Sequence, residues 1–216
     1  MNVVVFDVDG TLTPIGSSWH YLHIVLGSRH RSNSFKRAFL EGSIAYEEWV
    51  YLDLALWKGV SYETFRKVLL SIPWRSGIEM LKELVKKYRK TTRFIAITCG
   101  FEELAQRCVR ELGFDYGVGV RVEVDERGKL TGRPLKFVEA WSKREELEEY
   151  LSALDRVDKI VAVGDSIIDV PLFEVSDVSI VFCPSNVSEL ERRCDILIRS
   201  CNLRTLVRTL DQILAK

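Results

Sequence analysis

Two acidic pairs stand out because each follows a short run of β-branched residues. Asp7-Val8-Asp9-Gly10-Thr11-Leu12-Thr13 follows Val3–Phe6, and Gly164-Asp165-Ser166-Ile167-Ile168-Asp169 follows Ile160–Val163. On extended backbone, one intervening residue lets Asp7 and Asp9 point the same way. An isolated Asp-Gly serves equally well as a turn, and Asp165 or Ser166 suits the cap of a helix starting near Val170 and Pro171. Capping accounts for one acid near that turn and less well for two. Clustered carboxylates repel unless a cation neutralises them, and an all-oxygen cluster suits a hard ion such as Mg²⁺.

Two further positions carry a charge or a hydroxyl to a comparable place. Thr98 closes the run Phe94–Ile97 and precedes Cys99, Gly100 and a helical segment over 101–112. A hydroxyl and turn amides at a helix start suit phosphate oxygens, although threonine at a strand end is also a common cap. Ser142-Lys143-Arg144-Glu145 has the pattern of a capping box before the stripe Leu147, Tyr150, Leu151 and Leu154. It sets Lys143 in a first helical turn, where the dipole disfavours a cation and an anionic partner would explain it. A solvated lysine is the plainer reading, and Lys136 is the competing candidate. Cys99 lies close to this group without a partnering histidine and reads as a small filler.

The elements that must position these residues follow from periodicity. Consecutive apolar positions at Val3–Phe6, Phe94–Ile97, Ile160–Val163, Val178–Phe182 and Ile196–Ile198 suit strands buried on both faces of a parallel sheet. Between them run helical stripes, Met80, Leu81, Leu84, Val85 and Tyr88, then Leu203, Leu206, Val207, Leu210, Ile213 and Leu214. The alternation predicts an α/β, doubly wound, Rossmann-like parallel sheet, with ligands beyond the carboxyl ends of its strands. From Gly16 to Trp74 there is only helical pattern, broken near Gly27, Gly42 and Gly59, which predicts a small helical domain inserted after the first strand. The expected division is a core of residues 1–14 and 76–216 with an insert of 15–75. The alternation of Val118–Val124, followed by Asp125–Gly128 and Lys129-Leu130-Thr131, predicts a hairpin.

Composition narrows the partners. Lys+Arg and Asp+Glu are both 31, so no global field favours nucleic acid or an anionic membrane. No apolar run approaches the roughly 20 residues that span a bilayer, and the first run is too short for a signal peptide. The chain is expected to be soluble and cytoplasmic. Five cysteines, an odd number without a C-x-x-C pair, argue against both a disulfide framework and a zinc knuckle.

With these pieces in order, the sequence resembles the haloacid dehalogenase superfamily of phosphohydrolases, and within it the phosphoserine phosphatase-like branch. D-x-D-G-T at Asp7–Thr11, a strand-end Thr98, Lys143 and G-D-x-x-x-D at Gly164–Asp169 follow the family's order, and the helical insert looks like its cap. The resemblance implies that Asp7 is the nucleophile and that Asp9 is the acid for the leaving oxygen and then the base for water. It implies that Thr98 and Lys143 bind phosphoryl oxygens. It further implies that Asp7, the carbonyl of Asp9 and Asp165 hold Mg²⁺, with Asp169 in support. Asp9 favours phosphoryl transfer over dehalogenation, because a halide needs no proton to leave. The expected partner is a small phosphorylated metabolite. Two departures touch the substrate. The family's amine-reading Glu falls on Gly16 and its carboxylate-reading Arg on Asp53, which implies a substrate other than phosphoserine. Transfer of the phosphoryl group to an alcohol, or a weakly catalytic Mg²⁺-binding regulatory role, are the alternatives.

Overall fold

In the computed structural model, which describes residues 1–139 and 141–216, seven strands form one sheet in the order β4-β3-β2-β1-β5-β6-β7. They are β1 (Asn2–Phe6), β2 (Thr92–Phe101), β3 (Tyr116–Val124), β4 (Leu130–Lys136), β5 (Lys159–Gly164), β6 (Val178–Phe182) and β7 (Ile196–Ile198). Every neighbouring pair is parallel except β3 and β4. β1 lies between β2 and β5, with Phe6 in register with Ala96 on one side and Val163 on the other. Strand order therefore reverses at β1 and β5, and a crevice opens beyond their carboxyl ends.

Burial on both faces explains the consecutive apolar runs. Along β1, Val4 and Phe6 enter one core layer, while Val3 and Val5 enter the other. The first layer is closed by α5 (Ile78–Tyr88) through Leu81, Leu84 and Val85, and by α10 (Leu203–Leu214) through Leu206 and Leu210. The second is closed by Leu147 of α7 (Ser142–Ser152) and by Leu172 and Phe173 of α8 (Val170–Phe173). The short α6 (Glu102–Arg107) and α9 (Val187–Leu190) complete the layers.

Between β1 and α5 stand four helices, α1 (Ser18–Val25), α2 (Arg29–Leu40), α3 (Tyr46–Ala55) and α4 (Tyr62–Leu70). Gly27, Gly42 and Gly59 fall in the breaks, as expected, each with positive φ. The apolar faces of these helices are continuous with the first layer through Leu22, Leu54, Trp57 and Phe65. The hairpin braces them: the Gly59 N–H donates to the Leu130 carbonyl, the Leu130 N–H to Val60, and the Tyr62 N–H to Gly128. Among the described residues no helix is long and apolar enough to cross a membrane.

Four expectations need correction. β3 is a full member of the sheet, pairing parallel with β2 before it turns into the hairpin; its glycines dilute the apolar run that marks the other strands. β2 runs on through Thr98, Cys99 and Gly100 to Phe101, so Thr98 lies within a strand and not at a helix start. Ser142 does not cap α7: it is already the first helical residue, and its hydroxyl instead exchanges bonds with the N–H and carbonyl of Glu139. Cys183 and Cys201 form a single disulfide although composition argued against a disulfide framework, because the end of β6 and the segment before α10 bring them together across 18 residues.

Candidate active site

Asp7 leaves β1 into a tight loop. Leu12 and Thr13 N–H groups donate to the Val8 carbonyl, and the Gly10 N–H donates to Ile15. Arg75 fastens the loop from outside, its Nε donating to the Thr11 carbonyl at 3.0 Å and its Nη2 to Gly10 at 2.5 Å. Gly10 has φ of +80°, and a Cβ there would collide with the Asp165 carboxylate. The two acidic loops thus approach as closely as glycine permits.

Lys143 lies at the centre of the assembly. Its ammonium, 1% exposed, donates to Asp7 Oδ1 at 2.6 Å and to Asp169 Oδ1 at 2.6 Å. Burial opposes its charge, yet Asp169 and Asp7 together hold its pKa well above the usual lysine value. Lys136, its competitor in the sequence, pairs instead with Glu146 at 2.7 Å. Asp169 is buried and its Oδ2 accepts from the N–H groups of Asp165 and Ser166 and from the Ser166 hydroxyl. Ser166 caps the turn Ile167–Asp169, so capping and clustering operate in the same loop.

The site holds more negative charge than Lys143 balances. Asp7, Asp165 and Asp169 each offer an oxygen within 4.8 Å of the others. Burial, against the pull of Lys143, pushes the Asp7 pKa well up, and burial with the neighbouring Asp169 raises Asp165 to about 7. Such crowding fits a hard divalent cation, which would lower the cluster's energy through oxygen ligands alone. Asp165 also accepts from the Thr11 hydroxyl at 3.3 Å.

Asp9 is held differently. Its Oδ2 accepts from the Ser18 N–H at 2.7 Å and the Ser18 hydroxyl at 2.6 Å, while its Oδ1 is buried with no partner. Burial raises its pKa although both Ser18 bonds oppose this, which favours a carboxyl that can carry a proton. Thr98 is fully buried, and its oxygen accepts from the Gly100 N–H at 2.9 Å, which leaves its own proton free for an anion. Burial pushes the neighbouring Cys99 thiol up to about 12, so it stays protonated and unreactive near neutrality.

All six residues singled out from the sequence therefore converge on one crevice. Asp7, Asp9, Thr98, Lys143 and Asp165 line a cavity of about 660 Å³, with Asp169 behind them. Gly16 also lines it and leaves open space where a side chain would be. Asp53 is buried in the helical insert, 3.3 Å from His23 Nε2. Sequence reasoning missed Ser18 and Arg75. Ser18 carries only the ordinary signal of a helix start beside Ser17, and Arg75 acts across more than 60 residues with no local pattern.

The family model of haloacid dehalogenase-like hydrolases matches residues 4–174. The phosphoserine phosphatase of Methanocaldococcus jannaschii is 25% identical over 209 residues, 95% of this chain and 96% of that protein. That of Campylobacter jejuni subsp. doylei is 24% identical over 213 residues, 97% of this chain and the whole of the other. A solved phospho-aspartyl intermediate analogue of a phosphoserine phosphatase superposes with a TM-score of 0.76 at 24% identity, covering 96% of this chain and 98% of its own. A HAD-family hydrolase from Salmonella enterica reaches 0.81 at 19% identity, over 95% of this chain and 70% of its own. The chain belongs to the haloacid dehalogenase-like hydrolase family and is a phosphatase of the phosphoserine phosphatase-like type.

Proposed function

We propose that the chain hydrolyses a small phosphomonoester through a phosphoryl group carried on Asp7. The observation that supports this most strongly is the buried Lys143 bridging Asp7 and Asp169 beside the Ser18-held Asp9. An Asp7 oxygen attacks phosphorus as the ester oxygen leaves, and Asp9 gives that oxygen its proton. Asp9, now a carboxylate, takes a proton from water as the water oxygen attacks phosphorus, which releases phosphate and restores Asp7. Thr98 and Lys143 donate to the phosphoryl oxygens, and Lys143 screens the attacking carboxylate from the anion it attacks. Asp7, Asp165 and the Asp9 carbonyl are suited to hold Mg²⁺, with Asp169 in support. When bound, the ion would neutralise charge on the phosphoryl group.

In this reading residues 15–75 are a cap over a core of residues 1–14 and 76–216, and the cap keeps bulk water from the reacting group. The relatives are phosphoserine phosphatases. Here the open space at Gly16 and the burial of Asp53 against His23 favour another small phosphorylated metabolite. Phosphate release from nitrophenyl phosphate, with Mg²⁺ and with excess EDTA, tests the chemistry in wild type and Asp7→Asn side by side. Metal-dependent turnover that Asp7→Asn abolishes is expected; a folded Asp7→Asn protein with wild-type turnover overturns it.

A further inference from the structure

The first half of the helical insert carries charge of one sign. Between Asp9 and Glu41 the sequence holds no acid, yet it holds Arg29, Arg31, Lys36, Arg37 and all three histidines, His20, His23 and His30. A solvated helix ordinarily mixes signs three or four residues apart. In α2 the neighbours of Lys36 at that spacing are Ser32, Asn33, Phe39 and Leu40. The first turn of α2 carries Arg29, His30 and Arg31 without an acid, where the helix dipole disfavours cations. The Ser28 hydroxyl does not cap this turn; it accepts from Trp57 Nε1 at 3.0 Å and bonds His23 Nδ1 at 2.8 Å. Among the described residues, His23 is the only basic side chain of this segment paired with a carboxylate, Asp53 at 3.3 Å.

Part of this charge borders the proposed reaction site. His20 of α1 and Ser32, Asn33 and Lys36 of α2 line the same cavity of about 660 Å³ as Asp7 and Thr98. The acids of that lining are Asp7, Asp9 and Asp165; among the described residues none comes from the insert. Ser32 is 8% exposed, and among the described residues its hydroxyl makes no hydrogen bond, although the oxygen is not sealed from the cavity. It is therefore a donor available to a ligand. Ser32 and Lys36 stand four residues apart, so hydroxyl and ammonium share one helix face, with Asn33 beside them. His20 lies in the same field: burial, then the charges of Arg29, Lys36 and His23, lower its pKa. His23 is already engaged by Ser28 and Asp53 within the insert. A substrate ammonium would meet cations and no acid on this wall. An oxyanion would meet an ammonium, a hydroxyl, an amide and an imidazole N–H.

We infer that the substrate carries, besides its phosphate ester, a second oxyanion, a carboxylate or a phosphate, received by Lys36, Ser32, Asn33 and His20, and no ammonium at that end. This rests on the hydrolytic reading above and adds the charge of the leaving alcohol. Arg29, Arg31 and Arg37 add to the positive field that draws such an anion to the cavity.

The test uses phosphate esters of straight primary alcohols, with chains of three and of six carbons, ending in a carboxylate, a second phosphate, a methyl group or an ammonium. The three-carbon carboxylate is O-phosphoserine without its ammonium, and O-phosphoserine itself is the remaining substrate. At one chain length or both, kcat/KM for a carboxylate or phosphate end should exceed that for a methyl end by roughly tenfold or more, with the ammonium end lowest. O-Phosphoserine should fall below the better carboxylate ester. Lys36 is exposed, so its substitution should spare the fold. Lys36→Met should shrink the preference for an anionic end by about fivefold, and Lys36→Glu should erase it and raise turnover of the ammonium esters. Equal kcat/KM for anionic and methyl ends at both lengths overturns the inference. So does O-phosphoserine matching the better carboxylate ester, or a preference that Lys36→Glu leaves intact. If wild type hydrolyses none of these esters, the hydrolytic reading fails, and calorimetric binding to Asp7→Asn still decides the substrate class. Tighter binding of an anionic-ended ester than of the methyl-ended one of the same length upholds it; equal or weaker binding at both lengths overturns it.

Discussion

Lys143→Met replaces a buried cation by an apolar chain of similar length and leaves Asp7 and Asp169 facing each other. At an effective dielectric constant near 20, charges 2.6 Å apart attract by about 6 kcal/mol, and Lys143 makes two such contacts. Desolvation of three buried ions offsets much of this, and removing one partner of a buried pair typically costs about 3–5 kcal/mol net. For a domain of this size that lowers the melting temperature by about 6–20 °C. The assay is thermal unfolding in EDTA, where no divalent cation can substitute for the ammonium. Phosphate release by the same variant with saturating Mg²⁺ should fall by about two to three orders of magnitude, the scale of losing a positioned charge at a phosphoryl group. A Lys143→Met protein that melts within about 2 °C of wild type in EDTA refutes the argument that this lysine neutralises the cluster.

Ser18→Ala removes one of two donors to Asp9 and leaves the backbone N–H; turnover of alkyl phosphates should fall about three- to tenfold, and that of nitrophenyl phosphate by less, because nitrophenolate leaves without help from an acid. Gly100→Ala would set a Cβ 2.6 Å from both Asp9 Oδ2 and the Ser18 hydroxyl, so it should cut turnover by roughly tenfold or more, measured as phosphate release at saturating substrate. Reducing Cys183–Cys201, which spans 18 residues, should lower stability by about 3 kcal/mol in a denaturant titration with and without reductant, while turnover at low temperature stays unchanged.

How much of this was legible depended on the range of the interaction. The strands announced themselves because burial on both faces demands consecutive apolar residues, as at Val3–Phe6 and Ile160–Val163. The acidic pairs were legible because the carboxyl end of a strand is where such a sheet exposes side chains to a ligand. β3 was half hidden: Gly117 and Gly119 interrupt its apolar run, and both positions would place a Cβ against neighbouring backbone, at Ala105 and at Glu102. Lys143 was separable from Lys136 only in three dimensions, since each lies near a helix that carries acids. Ser142 misled because the capping pattern is local, whereas the chain before α7 makes Glu139 its nearest partner. The cysteines misled for the related reason that an odd count excludes full pairing but not a single pair.

The carboxylates of the proposed mechanism differ in the hydrogen bonds they already accept. A carboxylate offers about four acceptor positions. Asp169 fills them: Lys143 on Oδ1, and two N–H groups with the Ser166 hydroxyl on Oδ2. It has little left to give a metal ion, although its oxygens lie close enough to Asp7 and Asp165 for one. Asp7 makes a single such bond, through Oδ1 to Lys143, and Asp165 makes one weak bond, to Thr11. Among Asp7, Asp165 and Asp169, the oxygens with unused capacity are therefore those of Asp7 and Asp165, one after β1 and one after β5, facing each other where strand order reverses. Asp169 then acts by aiming Lys143 and by fixing the backbone of Asp165. Its substitution should disturb both at once, whereas loss of Asp165 should weaken metal binding while leaving the Lys143 bridge in place.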